Sequence, residues 1–299
     1  MKVVYGHTDS IYVQVPMNRT GEVLDLLNTK VREKFPNVMG LEEHPVVLEF
    51  EKYYESLGVG ITKNRNAGLI SWKDGEYLDE PEFVMTGFSA KRVAITKLAK
   101  TVQLEVLNRW VAQQSEKEIT DYLRKEYNRI LKGNFSIDEV INRTRFRPER
   151  FQYKCESCDF TYSVDDLLEI HNEFSSNAFC KKCGDDLSIV TLAGKRPQIS
   201  SGVEGVLWYN QFASSPITDS YIYMKVSDDT NRPSYVNPIT GQRKRPSFVS
   251  APNLVDLETE KPDYKHYADS VIKKAEPIYR AMGWDLNKIT IDENQTTLD

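Results

Sequence analysis

The stretch Val3-Val4-Tyr5-Gly6-His7-Thr8-Asp9-Ser10-Ile11-Tyr12-Val13 decides the reading of this chain. Val3, Val4 and Tyr5 make one short β-strand, and Ile11, Val13 and Val15 alternate with polar neighbours along a second. Gly6-His7-Thr8-Asp9 between them is a polar turn with Asp9 at its tip. A tight hairpin fixes the direction of that carboxylate, which makes it a rigid place for a metal ligand.

Working outward, Thr20-Gly21-Glu22 opens a helical pattern with Val23, Leu24, Leu27, Val31 and Phe35 on one face, Thr20 as N-cap and Pro36 as stop. Val46 to Glu51 alternates as a strand, with Leu48 and Phe50 to one side and Glu49 and Glu51 to the other. A strand pair follows around Ala67–Trp72, turning at Lys73-Asp74-Gly75-Glu76. From Ser89 the period becomes helical. Ile95, Leu98, Ala99, Val102, Val106 and Trp110 form one stripe; Ile119, Tyr122, Leu123, Tyr127, Ile130 and Leu131 form a second, with a junction near Gln113-Gln114-Ser115. Ser136 and Glu139 spell a capping box for a short helix. Asn142 to Pro148 reads as extended, which puts Arg143, Arg145 and Arg147 on one side. Gly205–Tyr209 and Ser220–Val226 read as strands, with a Pro/Gly/basic loop over about 230–248. A last helix runs from about Tyr264 to Met282, interrupted or kinked at Pro277. Helices and antiparallel hairpins in this order predict an α+β fold.

A chain of 299 residues, 40% of them hydrophobic, can bury a sizeable core in two or three domains. It contains no apolar run long enough to span a membrane and no signal-peptide pattern, so an intracellular protein is expected. The net charge of −5 argues against a nucleic-acid binder, but the average hides a gradient. Between Gly87 and Lys154 fifteen Lys/Arg stand against eight Asp/Glu, whereas from Asp256 to Asp299 six stand against ten. Binding responds to local potential, so the basic middle predicts a DNA-facing surface, with a solvated helical face as the other reading.

All four cysteines fall in one cluster, Cys155-x-x-Cys158 and Cys180-x-x-Cys183, with twenty-one residues between the pairs. Their spacing predicts a closed tetrahedral site for one structural Zn²⁺. His171 lies between the pairs but is not needed, since four sulfurs complete the shell.

The pattern Tyr5-Gly6-x-Thr8-Asp9-Ser10 resembles the third palm motif of family B DNA polymerases, with His7 where the family has its first Asp. The likeness continues in order. Leu48-Glu49-Phe50-Glu51 is similar to the acidic palm strand, and Thr62-Lys63-Asn64-Arg65-Asn66-Ala67-Gly68-Leu69 to the motif that grips primer–template duplex. Gly87 through Gln103 resembles the first thumb helix. Pro262-Asp263-Tyr264 and the helix ending at Met282-Gly283-Trp284 resemble the closing thumb segment of archaeal members. Gln295-Thr296-Thr297-Leu298 looks like the start of a sliding-clamp-binding tail, with Gln295 and Leu298 as the contacts.

The resemblance implies a DNA-directed DNA polymerase that uses two Mg²⁺ ions, with Mn²⁺ as an alternative. Asp9 is the implied ligand, Glu51 and then Glu49 the implied peripheral carboxylates. His7 is a tolerated turn residue or one that alters metal preference, since imidazole suits Mn²⁺ or Zn²⁺ better than Mg²⁺. Lys63, Arg65, Lys91, Arg92, Lys97, Arg143, Arg145 and Arg147 are the expected DNA contacts. The expected organisation is a C-terminal palm portion (1–87), thumb helices (88–150), a zinc-ribbon insertion (151–193), the remainder of a mainly helical thumb (194–291) and a tail (292–299).

The family's other palm motifs precede the hairpin and have no counterpart here. The expectation is therefore the small C-terminal subunit of a split archaeal or viral polymerase, cytoplasmic and nucleoid-associated, inactive alone. Its partners would be an N-terminal chain with the other palm motifs, fingers and exonuclease, primer–template DNA, dNTP and a sliding clamp, with no membrane. The competing expectation is a catalytically decayed, non-enzymatic DNA-binding or replisome scaffold.

Overall fold

Residues Lys2–Gly6 (β1) and Ile11–Gln14 (β2) pair antiparallel, from Lys2↔Gln14 to Gly6↔Ile11, and the His7 N–H closes the turn onto the Ser10 carbonyl at 2.8 Å. The computed structural model describes residues 1–7, 9–62, 64–92, 94–163, 179–195, 197–229, 231–237 and 242–290. Thr8, Lys63, His171 and the tail with Gln295 and Leu298 lie outside the described residues.

A single 3₁₀ turn leads into helix α1, Thr20–Lys34. Thr20 is its first residue rather than its cap, because its hydroxyl is spent on the Met17 carbonyl and Arg19 takes the cap position. The helix ends at Lys34 with Phe35 as its C-cap, directly before Pro36, which cannot continue it. Residues 46–51 are not a paired strand. The Asn28 side chain bonds both the N–H and the carbonyl of Leu48, at 2.8 and 2.9 Å, so α1 satisfies that backbone instead of a ladder. The predicted alternation survives in exposure. Leu48 and Phe50 are half-buried, Glu49 and Glu51 are exposed, and Phe50 stacks on Trp72 with centroids 4.2 Å apart.

Strands β3 (Lys52–Val59), β4 (Asn66–Lys73) and β5 (Glu76–Thr86) form one antiparallel sheet in that order. Asp74 and Gly75 both take positive φ, 53° and 95°, as a two-residue hairpin turn requires. Gly58 in β3 is obligatory by packing, since a Cβ there would lie 2.4 Å from the Trp110 ring.

Helices α2 (Lys97–Val111) and α3 (Glu116–Leu131) follow the two predicted stripes, with Leu98, Val102, Val106, Trp110, Ile119, Leu123 and Ile130 buried. Gln113, with φ 59°, makes the break between them. The capping box forms as predicted at Ser136 and Glu139 and starts α4, Ile137–Val140. Strand β6, Asn142–Arg145, precedes the cysteine module, whose strands β7 (Phe151–Cys155), β8 (Thr161–Ser163) and β9 (Leu187–Thr191) pair in the order β8-β7-β9.

The segment predicted as a strand at Gly205–Tyr209 is helical instead, within α5, Ser201–Phe212. A short apolar run does not distinguish a core strand from a core helix. Gly202 and Gly205 bring this helix onto the sheet formed with β10 (Ser220–Lys225). A Cβ at Gly202 would lie 2.5 Å from the Tyr221 hydroxyl. Strands β11 (Tyr235–Val236) and β12 (Arg243–Lys244) make a minimal hairpin inside the predicted loop, and β13 (Phe248–Ala251) completes a sheet of order β13-β10-β6. The part expected to be mainly helical is therefore mixed, because β6 finds its ladder only through β10. Helix α6, Tyr264–Met282, runs through Pro277 without interruption.

The chain divides into two compact units. The first holds Met1–Phe88, Leu104–Thr120 and Ala275–Lys288; the second holds Ser89–Gln103, Asp121–Lys274 and the segment from Ile289. Within the second, the cysteine module shares one core with α5 and β10: Tyr153, Cys155, Leu187 and Ile189 belong to the same buried cluster as Val206, Leu207 and Tyr221.

Candidate functional site

The hairpin holds the Asp9 carboxylate in solvent, 89% exposed, with His7 Nδ1 3.9 Å away. Its base is fixed from below by aromatic contacts: the Tyr5 and Tyr12 rings lie 5.4 Å apart, and those of Tyr12 and Tyr54 5.8 Å. Burial, first of all, pushes the Tyr54 hydroxyl far above its usual range, so this support stays neutral. Glu51 is engaged with its neighbour Lys52, and Glu49 is exposed. Among the described residues, the one group of three or more His, Cys, Asp or Glu side chains close enough to hold a metal ion is the cysteine cluster. The carboxylates of Asp9, Glu49 and Glu51, with His7, do not form one.

The basic residues are dispersed. Arg65 is half-buried beside Gly60, while Lys91 and Arg92 are exposed. Three of the expected DNA contacts carry counter-ions. Asp138 receives both Lys97 and Arg143, and Arg145 pairs with Asp219 at 2.9 Å. Arg143 and Arg145 share a face of β6 as expected. Arg147 lies beyond the strand end, past the buried Phe146, so the row of three is a row of two. The spacing rule holds only while the backbone stays in the ladder.

The four thiols form a built site. They lie within 4.8 Å of one another, with Cys155–Cys183, Cys158–Cys180 and Cys158–Cys183 sulfur separations of 3.4, 3.6 and 3.7 Å. Four ligands at about 2.3 Å in a tetrahedron place sulfurs about 3.8 Å apart, so the cage fits one Zn²⁺. The two knuckles repeat one design. In each, the residue after the second cysteine has positive φ: Asp159 at 57° and Gly184 at 84°. In each, the first cysteine's N–H donates to the carbonyl five residues on, Phe160 at 2.9 Å and Asp185 at 2.7 Å. The Tyr162 hydroxyl donates to Cys180 Sγ at 3.5 Å and holds that thiol low, at about 6. A sulfur favoured as thiolate is a better metal ligand. Four sulfur ligands would close a tetrahedral shell around such an ion.

Sequence reasoning missed Lys274. Buried Gln103 accepts from the Ser89 hydroxyl at 2.8 Å and the Ala90 N–H at 2.7 Å, and donates to the Lys274 carbonyl at 3.1 Å; the Lys274 ammonium donates to Ser89 Oγ at 3.3 Å. The only signal was the Lys273-Lys274 pair on an amphipathic helix, which reads as solvated charge.

The class these features define is a mixed α/β protein with antiparallel sheets, an exposed acidic hairpin and a four-thiol centre. Residues 1–164 match DNA polymerase family B, and the chain belongs to that family. It is 31% identical over 140 residues to a DNA polymerase of Archaeoglobus fulgidus, a match covering 47% of this chain and 16% of that protein. It is 28% identical over 141 residues to the DNA polymerase zeta catalytic subunit of Arabidopsis thaliana, covering 47% of this chain and 7% of that one. The fold matches the structure of the family B DNA polymerase from the hyperthermophilic archaeon Pyrobaculum calidifontis with a TM-score of 0.52 at 18% identity, over 93% of this chain and 26% of that one. The chain thus corresponds to a fraction of each of these relatives. No helix among the described residues is long and apolar enough to cross a membrane.

Proposed function

We propose that this chain is the small C-terminal subunit of a DNA-directed DNA polymerase, supplying part of the palm and the thumb, and works with a second chain that carries the remaining palm motifs, the fingers and the exonuclease. What supports the reading is Asp9, an exposed carboxylate on a rigid hairpin within the segment that matches the family. Two Mg²⁺ ions, when bound, would activate the primer 3′-hydroxyl and neutralise charge on the triphosphate. Asp9 would be this chain's ligand to them, with Glu51 and Glu49 peripheral and the other carboxylates coming from the partner. Residues 1–87 would belong to the palm and 88–291 to the thumb, interrupted by the ribbon at 151–193. Lys63, Arg65, Lys91 and Arg92 would hold duplex phosphates, which fixes position without reading sequence. Lys97, Arg143 and Arg145 would do so only by exchanging their carboxylate partners for phosphate. Gln295 and Leu298 would offer a sliding clamp a short contact.

One observation favours a second reading, a non-catalytic DNA-binding scaffold: the carboxylates near His7 do not gather into a metal-binding group among the described residues. Primer extension with the chain reconstituted with its partner separates the two. Loss of extension in Asp9→Ala, with duplex binding retained, supports the polymerase reading. Unchanged extension in that variant overturns the role of Asp9.

A further inference from the structure

Lys274 is half-buried, and no carboxylate among the described residues pairs with it. A lysine drawn partly out of water without a counter-ion is costly, because burial penalises the charged form. Burial, and then the charge of Arg92, lower its basicity. The Arg92 N–H donates to the Ser89 carbonyl at 2.8 Å, so the turn whose Ser89 hydroxyl accepts from Lys274 also carries a second cation. Such a pair is unfavourable until an anion arrives.

The surroundings are organised around the ammonium. Gln103, itself buried, fixes Ser89 Oγ, the Ala90 N–H and the Lys274 backbone at once. Because the Ser89 hydroxyl hydrogen is given to Gln103, its oxygen is left to accept from Lys274. One of the three ammonium hydrogens is thereby used; the other two have no partner among the described residues. The Arg92 guanidinium is exposed and has no ion pair among the described residues. Two cations supply five or more N–H donors, which suits the oxygens of one phosphate.

We propose that Lys274 and Arg92, with Ser89 orienting the Lys274 ammonium, form a phosphate site that takes a backbone phosphodiester of a bound DNA duplex. The inference rests on the nucleic-acid reading above and adds to it a contact from helix α6 that the basic motifs do not contain.

The test is duplex binding by the full chain across a salt series, followed by fluorescence anisotropy. Lys274→Gln is expected to weaken binding and to lower the slope of log K against log salt by about one, while Lys274→Arg restores both. A second measurement needs no variant: acylation of Lys274 by an amine-reactive ester, read by mass spectrometry. Duplex is expected to protect Lys274, and inorganic phosphate at equal phosphate concentration is not. Equal protection by inorganic phosphate overturns the assignment to a phosphodiester. Wild-type binding with an unchanged slope in Lys274→Gln and no protection by duplex overturns the site while leaving the nucleic-acid reading intact. Absence of duplex binding in the wild-type chain overturns both.

Discussion

The Tyr5 hydroxyl and Asn64 hold each other through two hydrogen bonds: the hydroxyl donates to Asn64 Oδ1 and accepts from the Asn64 N–H, each at 3.2 Å. Through them the acidic hairpin is tied to the loop between β3 and β4, fifty-nine residues away in sequence. Asn64 takes a left-handed φ of 64°, a conformation asparagine tolerates better than most residues. Gly87 closes the arrangement from the other side, since a Cβ there would lie 1.9 Å from the Asn64 carbonyl oxygen. The tyrosine of the Tyr-Gly-x-Thr-Asp motif therefore has a structural task separate from the carboxylate it precedes.

Tyr5→Phe keeps the ring contact with Tyr12 and removes both bonds. The expected loss is at most about 1 kcal/mol, because the bonds are partly exposed and water replaces them. Urea unfolding should show that small decrease with an unchanged m-value, and hydrogen exchange should show faster exchange at Asn64. Exchange identical to wild type would mean that the pair does not order the loop.

Zinc removal should act well beyond the cysteines. The module's buried residues belong to one cluster with α5 and β10, so loosening the cage removes packing from Val206, Leu207 and Tyr221. The purified chain should bind one Zn²⁺. A strong chelator, or Cys158→Ser, should lower the melting temperature of the second unit and quench its near-UV dichroism. A melting curve unchanged by chelation, with the metal shown to be gone, would make the ribbon an energetically independent appendage.

How much of this was readable beforehand depends on the range of each signal. The hairpin, the Asp74-Gly75 turn, the stripes of α2 and α3 and the Ser136 capping box are local patterns, and each appears where its residues put it. The cysteine cage was readable because Cys-x-x-Cys carries its own geometry. Residues 46–51 and 205–209 were not readable, because a neighbour far along the chain decides them. Asn28 occupies the backbone of Leu48, and Gly205 lies close against Ser250 of β13. The ion pairs of Lys97 and Arg145 were invisible for the same reason, since only the fold brings Asp138 and Asp219 to them.

Gly205→Ala tests that packing directly. The added methyl would meet Ser250 Oγ at 2.3 Å and Ser250 N at 2.7 Å, both on β13, so α5 must move off the sheet. Helix propensity alone would favour alanine by about 1 kcal/mol, whereas overpacking costs about 1–3 kcal/mol. The contact distances are far below van der Waals separation, so the expected net effect is destabilising. A variant more stable than wild type would show that α5 relaxes freely.

Asp138 links stability to pH. Lys97 first, and Arg143 with it, hold this carboxyl below the usual carboxylate range. A folded value below the unfolded one means that the unfolded chain binds the proton more readily. The contribution is then fully present above the unfolded value of about 3.9 and is lost as pH falls through the folded value. Asp138→Asn should flatten the stability curve in that acid range and change little at neutral pH. The same variant frees two cations and should bind duplex more tightly, with a steeper salt dependence.

The largest single-residue effect is expected at Arg232, whose side chain is 3% exposed. Its guanidinium gives Nε and Nη2 to Glu260 Oε2 at 3.0 and 2.7 Å and Nη1 to the Ser227 carbonyl at 2.9 Å, clamping the loop after β10 to the turn before α6. Removing one partner of a buried pair strands the other charge, at a cost of about 3–5 kcal/mol. Arg232→Met should therefore lower stability steeply, and Arg232→Met combined with Glu260→Leu should recover most of the loss, since a matched apolar pair leaves no charge unpaired. The double-mutant cycle is the decisive measurement. If the two losses simply add, the pair is not the clamp, and Arg232 acts through its bond to Ser227 alone.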